Sequence, residues 1–218
     1  MITVLFDLDG TIIDSFPGIT KCVQYALKTQ GIEVQDRNEL RDFIGPPLKD
    51  SFQRRYQFDD ETAEFLVKKY RERFDVEGIF ENELYPGVEE ALRFLKDRGY
   101  PLALASSKPE EACRRILEKY GLLAYFDEVV GATLDGKIST KEEVLEEVFR
   151  RMDIESPKDC ILIGDTIYDV KGAKNAGMDC IAVSYGFGET ADLKEAGAVC
   201  ICKDLEEVVK SIEGYQIV

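Results

Sequence analysis

Val4-Leu5-Phe6-Asp7-Leu8-Asp9-Gly10-Thr11 closes an apolar, β-branched run that starts at Ile2. Such a short run, bounded by Asp-Gly, reads as a buried strand over 2–6. Comparable runs recur at 102–105, 128–131, 160–163, 180–183 and 199–202. Helical patterns lie between them, at 88–97, 109–120, 141–152, 170–176 and 205–212. Near-continuous apolar strands that alternate with helices predict an α/β fold, a parallel sheet covered on both faces. Ligands of such sheets bind beyond the carboxyl ends of the strands, which is where Asp7 and Asp9 fall.

One stretch breaks the alternation. Between about residues 15 and 82 the pattern is helical only, over 19–29, 37–43, 48–56 and 61–74. Asp14 and Ser15 are suitable caps for the first helix, and Gly31 and Gly45-Pro46-Pro47 punctuate the stretch. The chain therefore divides into a core of 1–14 with 83–218 and an α-helical insert of 15–82. An insert that leaves from the loop after the first strand is expected to cap the carboxyl edge of the sheet.

Composition narrows the chemistry. The 218 residues are 44% hydrophobic and 33% charged, as in an ordinary folded protein. No apolar run has the roughly 18–20 residues needed to span a bilayer. No basic and then apolar leader opens the chain, so a cytoplasmic location is expected. The net charge is −15, which argues against a nucleic-acid polymer or an anionic membrane as partner. Residues 15–82 hold 11 Lys/Arg and 13 Asp/Glu, leaving 17 and 30 to the rest. A site for anions in so acidic a body needs local positive charge, and a bound cation is a natural source. Histidine is absent, which removes Ser-His-Asp catalysis and histidine-ligated metals together. The six cysteines include no CxxC pair; Cys200-x-Cys202 is read as reduced core packing and only remotely as a zinc site.

Four segments carry candidate chemistry. Asp7 and Asp9 sit two apart at a strand end, Gly10 permits a tight exit, and Thr11 offers a hydroxyl to orient a carboxylate. Ser106-Ser107-Lys108 follows a strand and precedes a helix, where serine hydroxyls and free amides make an anion site. Taken alone, ordinary helix capping is the better reading of these serines. Gly164-Asp165-Thr166-Ile167-Tyr168-Asp169 follows the run at 160–163; if Thr166 opens a helical turn, Asp165 and Asp169 approach each other. Paired acids at a strand end suit Mg²⁺, which takes hard oxygen ligands, although capping again offers a plainer reading. Lys141 opens a helix, where the dipole disfavours a cation, which marks it above Lys137 in the preceding loop. Each segment alone is weak. Carboxylates converging on one pocket would repel by about 4 kcal/mol per pair at 4 Å and an effective dielectric of 20, more than capping returns.

Taken in order, these segments resemble the haloacid dehalogenase-like superfamily in its phosphatase branch. Asp7-Leu8-Asp9-Gly10-Thr11 matches the first motif, Ser106 the second, Lys141 or Lys137 the third, and Gly164 to Asp169 the fourth. The third lacks the commoner Lys-Pro form. The resemblance implies a doubly wound, Rossmann-like core with an α-helical cap, and a Mg²⁺-dependent phosphatase. It also implies Asp7 as nucleophile, Asp9 as acid–base partner, and Asp7, Asp9, Asp165 and Asp169 around the metal. Thr11, Ser106, Ser107 and Lys141 would bind the phosphate of a small-molecule phosphate monoester. Within the superfamily the chain looks most like phosphoglycolate phosphatases. The segment Phe43-Ile44-Gly45-Pro46-Pro47-Leu48 also resembles a 5'-nucleotidase-like set. A monomer or small homo-oligomer is expected. A phosphomutase of the β-phosphoglucomutase kind would keep every core motif. A phospho-accepting receiver domain is disfavoured by length and by the insert, and a dinucleotide module by Gly186-Phe187-Gly188, which lacks a third glycine.

Overall fold

Strand β1 (Thr3–Phe6) is buried at every position and sits at the centre of a six-stranded sheet. The structure is a computed structural model that describes residues 2–215. It forms two units, Met1–Ile13 with Leu84–Val218 and Asp14–Glu83. In chain order the elements are β1, β2 (Ile13–Asp14), α1 (Phe16–Lys28), α2 (Leu48–Tyr56), α3 (Asp60–Phe74), β3 (Glu83–Leu84) and α4 (Val88–Asp97). There follow β4 (Leu102–Pro109), α5 (Glu110–Lys119), β5 (Glu128–Ala132), α6 (Lys141–Arg151), β6 (Cys160–Gly164) and α7 (Ile167–Asn175). The last are β7 (Asp179–Val183), α8 (Thr190–Ala196), β8 (Cys200–Cys202) and α9 (Leu205–Gly214). Short 3-10 turns fill several connections.

The large sheet runs β5-β4-β1-β6-β7-β8, and every neighbouring pair is parallel. Strand order reverses direction at β1: β4 and β5 extend one way, β6 to β8 the other. This is a topological switch point, where a doubly wound sheet opens a crevice at its carboxyl edge. Register sets that edge. Phe6 pairs with Leu104 of β4 and with Ile163 of β6, so β1 and β6 finish nearly level while β4 runs on to Pro109. The Asp7 amide donates to the Ile163 carbonyl at 2.9 Å, tying the first residue past β1 to the sheet.

Both faces of the sheet are dry. Leu5, Ala103, Ala105 and Leu162 pack with Val144, Leu145 and Val148 of α6 and with Val170 and Ala173 of α7. Alternation sends Val4, Phe6 and Leu104 to the opposite face, where Phe6 meets Phe126 edge-on at 6.5 Å. The cysteines are all free thiols; Cys200 and Cys202 face each other at 3.8 Å with the Ser211 hydroxyl between them. Among the described residues no helix is long and apolar enough to cross a membrane.

The helical unit is organised on α1 and α3. Its core holds Leu40, Leu66 and the edge-to-face pair Phe43 and Phe52 at 5.0 Å. The pattern over 37–43 proves to be a 3-10 helix, and the first helix starts at Phe16, three residues before the periodicity suggests. Ser15 occupies the cap position without a side-chain bond; Asp14 supplies it, accepting from the Phe16 amide at 3.0 Å. Glu81 ties two elements of this unit together, bonded to Arg73 at 2.7 Å and to Lys21 at 2.7 Å. The Arg73 guanidinium, followed by Lys21, holds its carboxyl down at about 2. A lowered folded-state value stabilises above the unfolded value and is lost as pH falls. Glu81→Gln should therefore lower the melting temperature at pH 5–7, a deficit that shrinks below about pH 4.5 and vanishes near 2. A deficit that does not change with pH would show that Glu81 acts by packing alone.

Candidate active site

Three carboxylates that the sequence places at strand ends meet in space. Asp7 follows β1, Asp165 follows β6, and Asp169 lies in the first turn of α7; one oxygen of each falls within 4.8 Å of the others. All three are buried. Lys141, the first residue of α6, reaches into the group and bonds Asp7 Oδ1 at 2.5 Å, Asp169 Oδ1 at 2.9 Å and the Ala105 carbonyl at 2.8 Å. The lysine that the helix dipole disfavours is thus held by two acids and a carbonyl. Lys137 is elsewhere, its side chain 82% exposed and paired with Asp135.

Each acid has a different environment. Asp169 caps α7: its Oδ2 accepts from the Thr166 amide at 2.9 Å and the Thr166 hydroxyl at 2.7 Å, while Oδ1 faces Lys141. Capping and pocket chemistry are therefore not rivals at this residue. Burial is the largest influence on its carboxyl and would raise it, but the Lys141 ammonium and the two Thr166 hydrogen bonds together hold it below the usual range. Asp7 is pushed up to about 7, by burial first and then by the charge of Asp169, against the pull of Lys141. Among the described residues no ion pair to Asp165 is formed. It accepts from the Phe187 amide at 2.7 Å and from the Thr11 hydroxyl at 3.4 Å, and burial with two acidic neighbours raises it well above the ordinary carboxylate. Three carboxylates and one ammonium leave a formal charge of −2 in a closed space, which water cannot relieve.

Asp9 departs from the expected convergence. Its carboxylate turns to Lys108, whose Nζ lies 2.8 Å from both oxygens, although its charge still reaches Asp7. Sequence reasoning passed over Lys108, because Ser-Ser-Lys-Pro-Glu-Glu is satisfied as a helix start. The serines are not caps after all: both lie in β4, which runs on to Pro109. The Ser106 hydroxyl is buried and accepts from the Lys108 amide at 3.3 Å, while Ser107 is half-buried. Thr11 is fully buried, with its hydroxyl turned to Asp165.

Glycines bring the backbone close to Asp165. A methyl group on Gly10, which sits at φ +84°, would fall 2.0 Å from Asp165 Oδ2, and one on Gly186 would fall 2.3 Å from its Cβ. Gly186-Phe187-Gly188, unpromising as a nucleotide fingerprint, instead wraps this carboxylate and donates to it. The signal available in the sequence was a Gly-x-Gly just past a strand end.

Such a pocket has the residue types that phosphoryl transfer uses: a buried carboxylate at a strand end, a lysine, a hydroxyl and a group of hard oxygens that could hold a cation. A family model, haloacid dehalogenase-like hydrolase, matches residues 4–183. The chain belongs to the haloacid dehalogenase-like hydrolases, and its relatives place it among those that act on phosphate esters. It is 38% identical over 212 residues to a 5'-nucleotidase of Pseudomonas aeruginosa, covering 97% of this chain and 96% of that one. A crystal structure of a predicted phosphatase from Clostridium acetobutylicum superposes with a TM-score of 0.95 at 46% identity, over 99% of this chain and all of that one. The tyrosine-protein kinase PtkA of Mycobacterium tuberculosis is 34% identical over 185 residues, 85% of this chain and 62% of that protein.

Proposed function

We propose that the protein is a Mg²⁺-dependent phosphatase that hydrolyses a small-molecule phosphate monoester through an aspartyl-phosphate on Asp7. The observation that carries this is the buried cluster of Asp7, Asp165 and Asp169 with the Lys141 ammonium bonded to two of the three. The donor set fits the ion: all three side chains offer hard oxygens, and a divalent cation cancels the remaining charge of −2. Asp7, Asp165 and the Asp9 carbonyl would hold Mg²⁺ with Asp169 close by, and the ion would draw charge off the phosphoryl oxygens. Raised carboxyls at Asp7 and Asp165 fit a site that releases protons when it takes up its metal.

The protein's own residues carry the two displacements. An Asp7 oxygen attacks phosphorus, the ester P–O bond breaks, and Asp9 gives its proton to the departing alkoxide. Water then attacks phosphorus, Asp9 takes its proton, and the bond from Asp7 to phosphorus breaks to release inorganic phosphate. Lys141 and the Ser106 hydroxyl steady the phosphoryl oxygens; Ser106 accepts from the Lys108 amide and so keeps its own proton to donate. Residues 1–14 and 83–218 make the catalytic core in this reading, and 15–82 the α-helical cap that selects the substrate. The 5'-nucleotidase relative supports a nucleoside 5'-monophosphate, and the phosphoglycolate phosphatase of Vibrio parahaemolyticus, 25% identical, supports phosphoglycolate.

The test is a phosphate-release screen over nucleoside monophosphates, sugar phosphates and phosphoglycolate, with and without Mg²⁺. Phosphate released one-for-one with alcohol, and lost on chelation, is the expected result. Turnover that survives complete metal removal would sink the metal reading. Isomerised sugar phosphate without free phosphate would make the enzyme a mutase. Since one relative is named a tyrosine kinase, the screen includes a tyrosyl peptide as acceptor; its labelling would replace water as the acceptor.

A further inference from the structure

Lys108 is another lysine at the carboxyl edge of the sheet, with little of its side chain exposed, and its place is built. Register between β4 and β5 shifts between Ser106 and Pro109, a bulge of the kind that re-aims a side chain beside a site. Gly131 of β5 admits this backbone closely, since a methyl group there would lie 2.5 Å from the Lys108 carbonyl. The Cys113 thiol donates to that same carbonyl at 3.6 Å, and the Lys108 amide is held by Ser106. From this fixed base the side chain, 6% exposed, meets both oxygens of Asp9, itself 15% exposed.

We infer that Lys108 is a positioning residue, which fixes the Asp9 carboxyl group where, in its protonated form, it hands its proton to the leaving oxygen and becomes the carboxylate. An aspartate in a loop has free rotation about its side-chain bonds. An ammonium midway between its two oxygens removes that freedom, and proton transfer depends on placement before anything else. Lys141 already serves Asp7 and Asp169, so Lys108 does not duplicate it. The inference rests on the reading of Asp9 as the acid–base group, and the experiment separates the two.

Leaving-group dependence is the readout. kcat/KM reports events up to departure of the alcohol, which needs a proton for an alkyl phosphate and none for p-nitrophenyl phosphate. Lys108→Met should lower kcat/KM on the alkyl ester about 30- to 100-fold more than on the aryl ester, the scale of a misplaced general acid. Asp9→Asn should discriminate at least as strongly, and Lys108→Arg should recover most of the loss. Both esters are measured on one preparation, so a partly unfolded variant cancels in the ratio, and Lys108→Gln serves if the methionine variant does not fold. An equal fall on both esters in Lys108→Met and Lys108→Gln, with discrimination intact in Asp9→Asn, overturns the inference and leaves the phosphatase reading standing. Absence of discrimination in Asp9→Asn overturns the acid role of Asp9, and the inference with it.

Discussion

Replacing Asp7 with Asn is expected to cut phosphate release by about 10⁴-fold or more, as when a covalent nucleophile is lost, while the protein stays folded. The two halves of this expectation have separate causes. An amide is a poor nucleophile toward phosphorus, so no aspartyl-phosphate forms and neither half of the reaction proceeds. Folding is spared because the carboxylate is itself a burden: burial lifts it to about 7, and a neutral amide of the same size relieves that cost. Lys141 keeps Asp169 and the Ala105 carbonyl as partners. Phosphate release and a melting curve without metal, measured on the same sample, check both halves. Activity within tenfold of wild type would remove Asp7 from the role of nucleophile.

Lys141→Met has the opposite balance, with large losses of both activity and stability. The ammonium contacts Asp7, Asp169 and the Ala105 carbonyl, and its removal strips the three buried acids of the charge bonded to two of them. Stranding buried charge in this way costs about 3–5 kcal/mol, and losing an electrostatic contact to the reacting group costs about 10²–10³ in rate. The pH dependence follows from the sign of the shift. A carboxyl raised in the folded state favours folding below its unfolded value, and that advantage fades as pH rises through the folded one, about 7 for Asp7 in the metal-free protein. Without the lysine the acids rise further, so the variant should be most deficient at alkaline pH and recover on acidification or on adding Mg²⁺. Denaturant melts at pH 6 and pH 8.5, with and without Mg²⁺, measure this. A deficit independent of both would mean that Lys141 matters as a packed aliphatic stem and not as a charge.

Much of the fold was readable because its signals are local. Runs such as 160–163 are apolar at every position and end on Gly-Asp, so both the buried strand and its acidic tip stand out. Lys141 was visible as a misfit, a cation where a helix dipole wants an anion. Other features were silent for physical reasons. α8 is short, and its surroundings, Gly188-Glu189-Thr190 and Ala196-Gly197, look like loop. β2 and β3 have two residues each, too few for any period to register. The bulge in β4 has no sequence signature of its own, and without it Ser106-Ser107-Lys108 reads as the start of a helix. Lys108 therefore could not be paired with Asp9, 99 residues away, from the chain alone. Convergence of Asp7 with Asp165 and Asp169 depends on strand order, and order is a property of the sheet.

Asp169 gives one carboxylate two masters. One oxygen closes the start of α7 through Thr166, and the other faces Lys141 in the pocket. A carboxylate is rigid across its plane, so a pull on either oxygen is felt at the other. The first turn of α7 is consequently expected to respond to what occupies the pocket. Its amide protons, Thr166 foremost, lie on the far side of that lever, and their rate of exchange with solvent will follow the filling and emptying of the site.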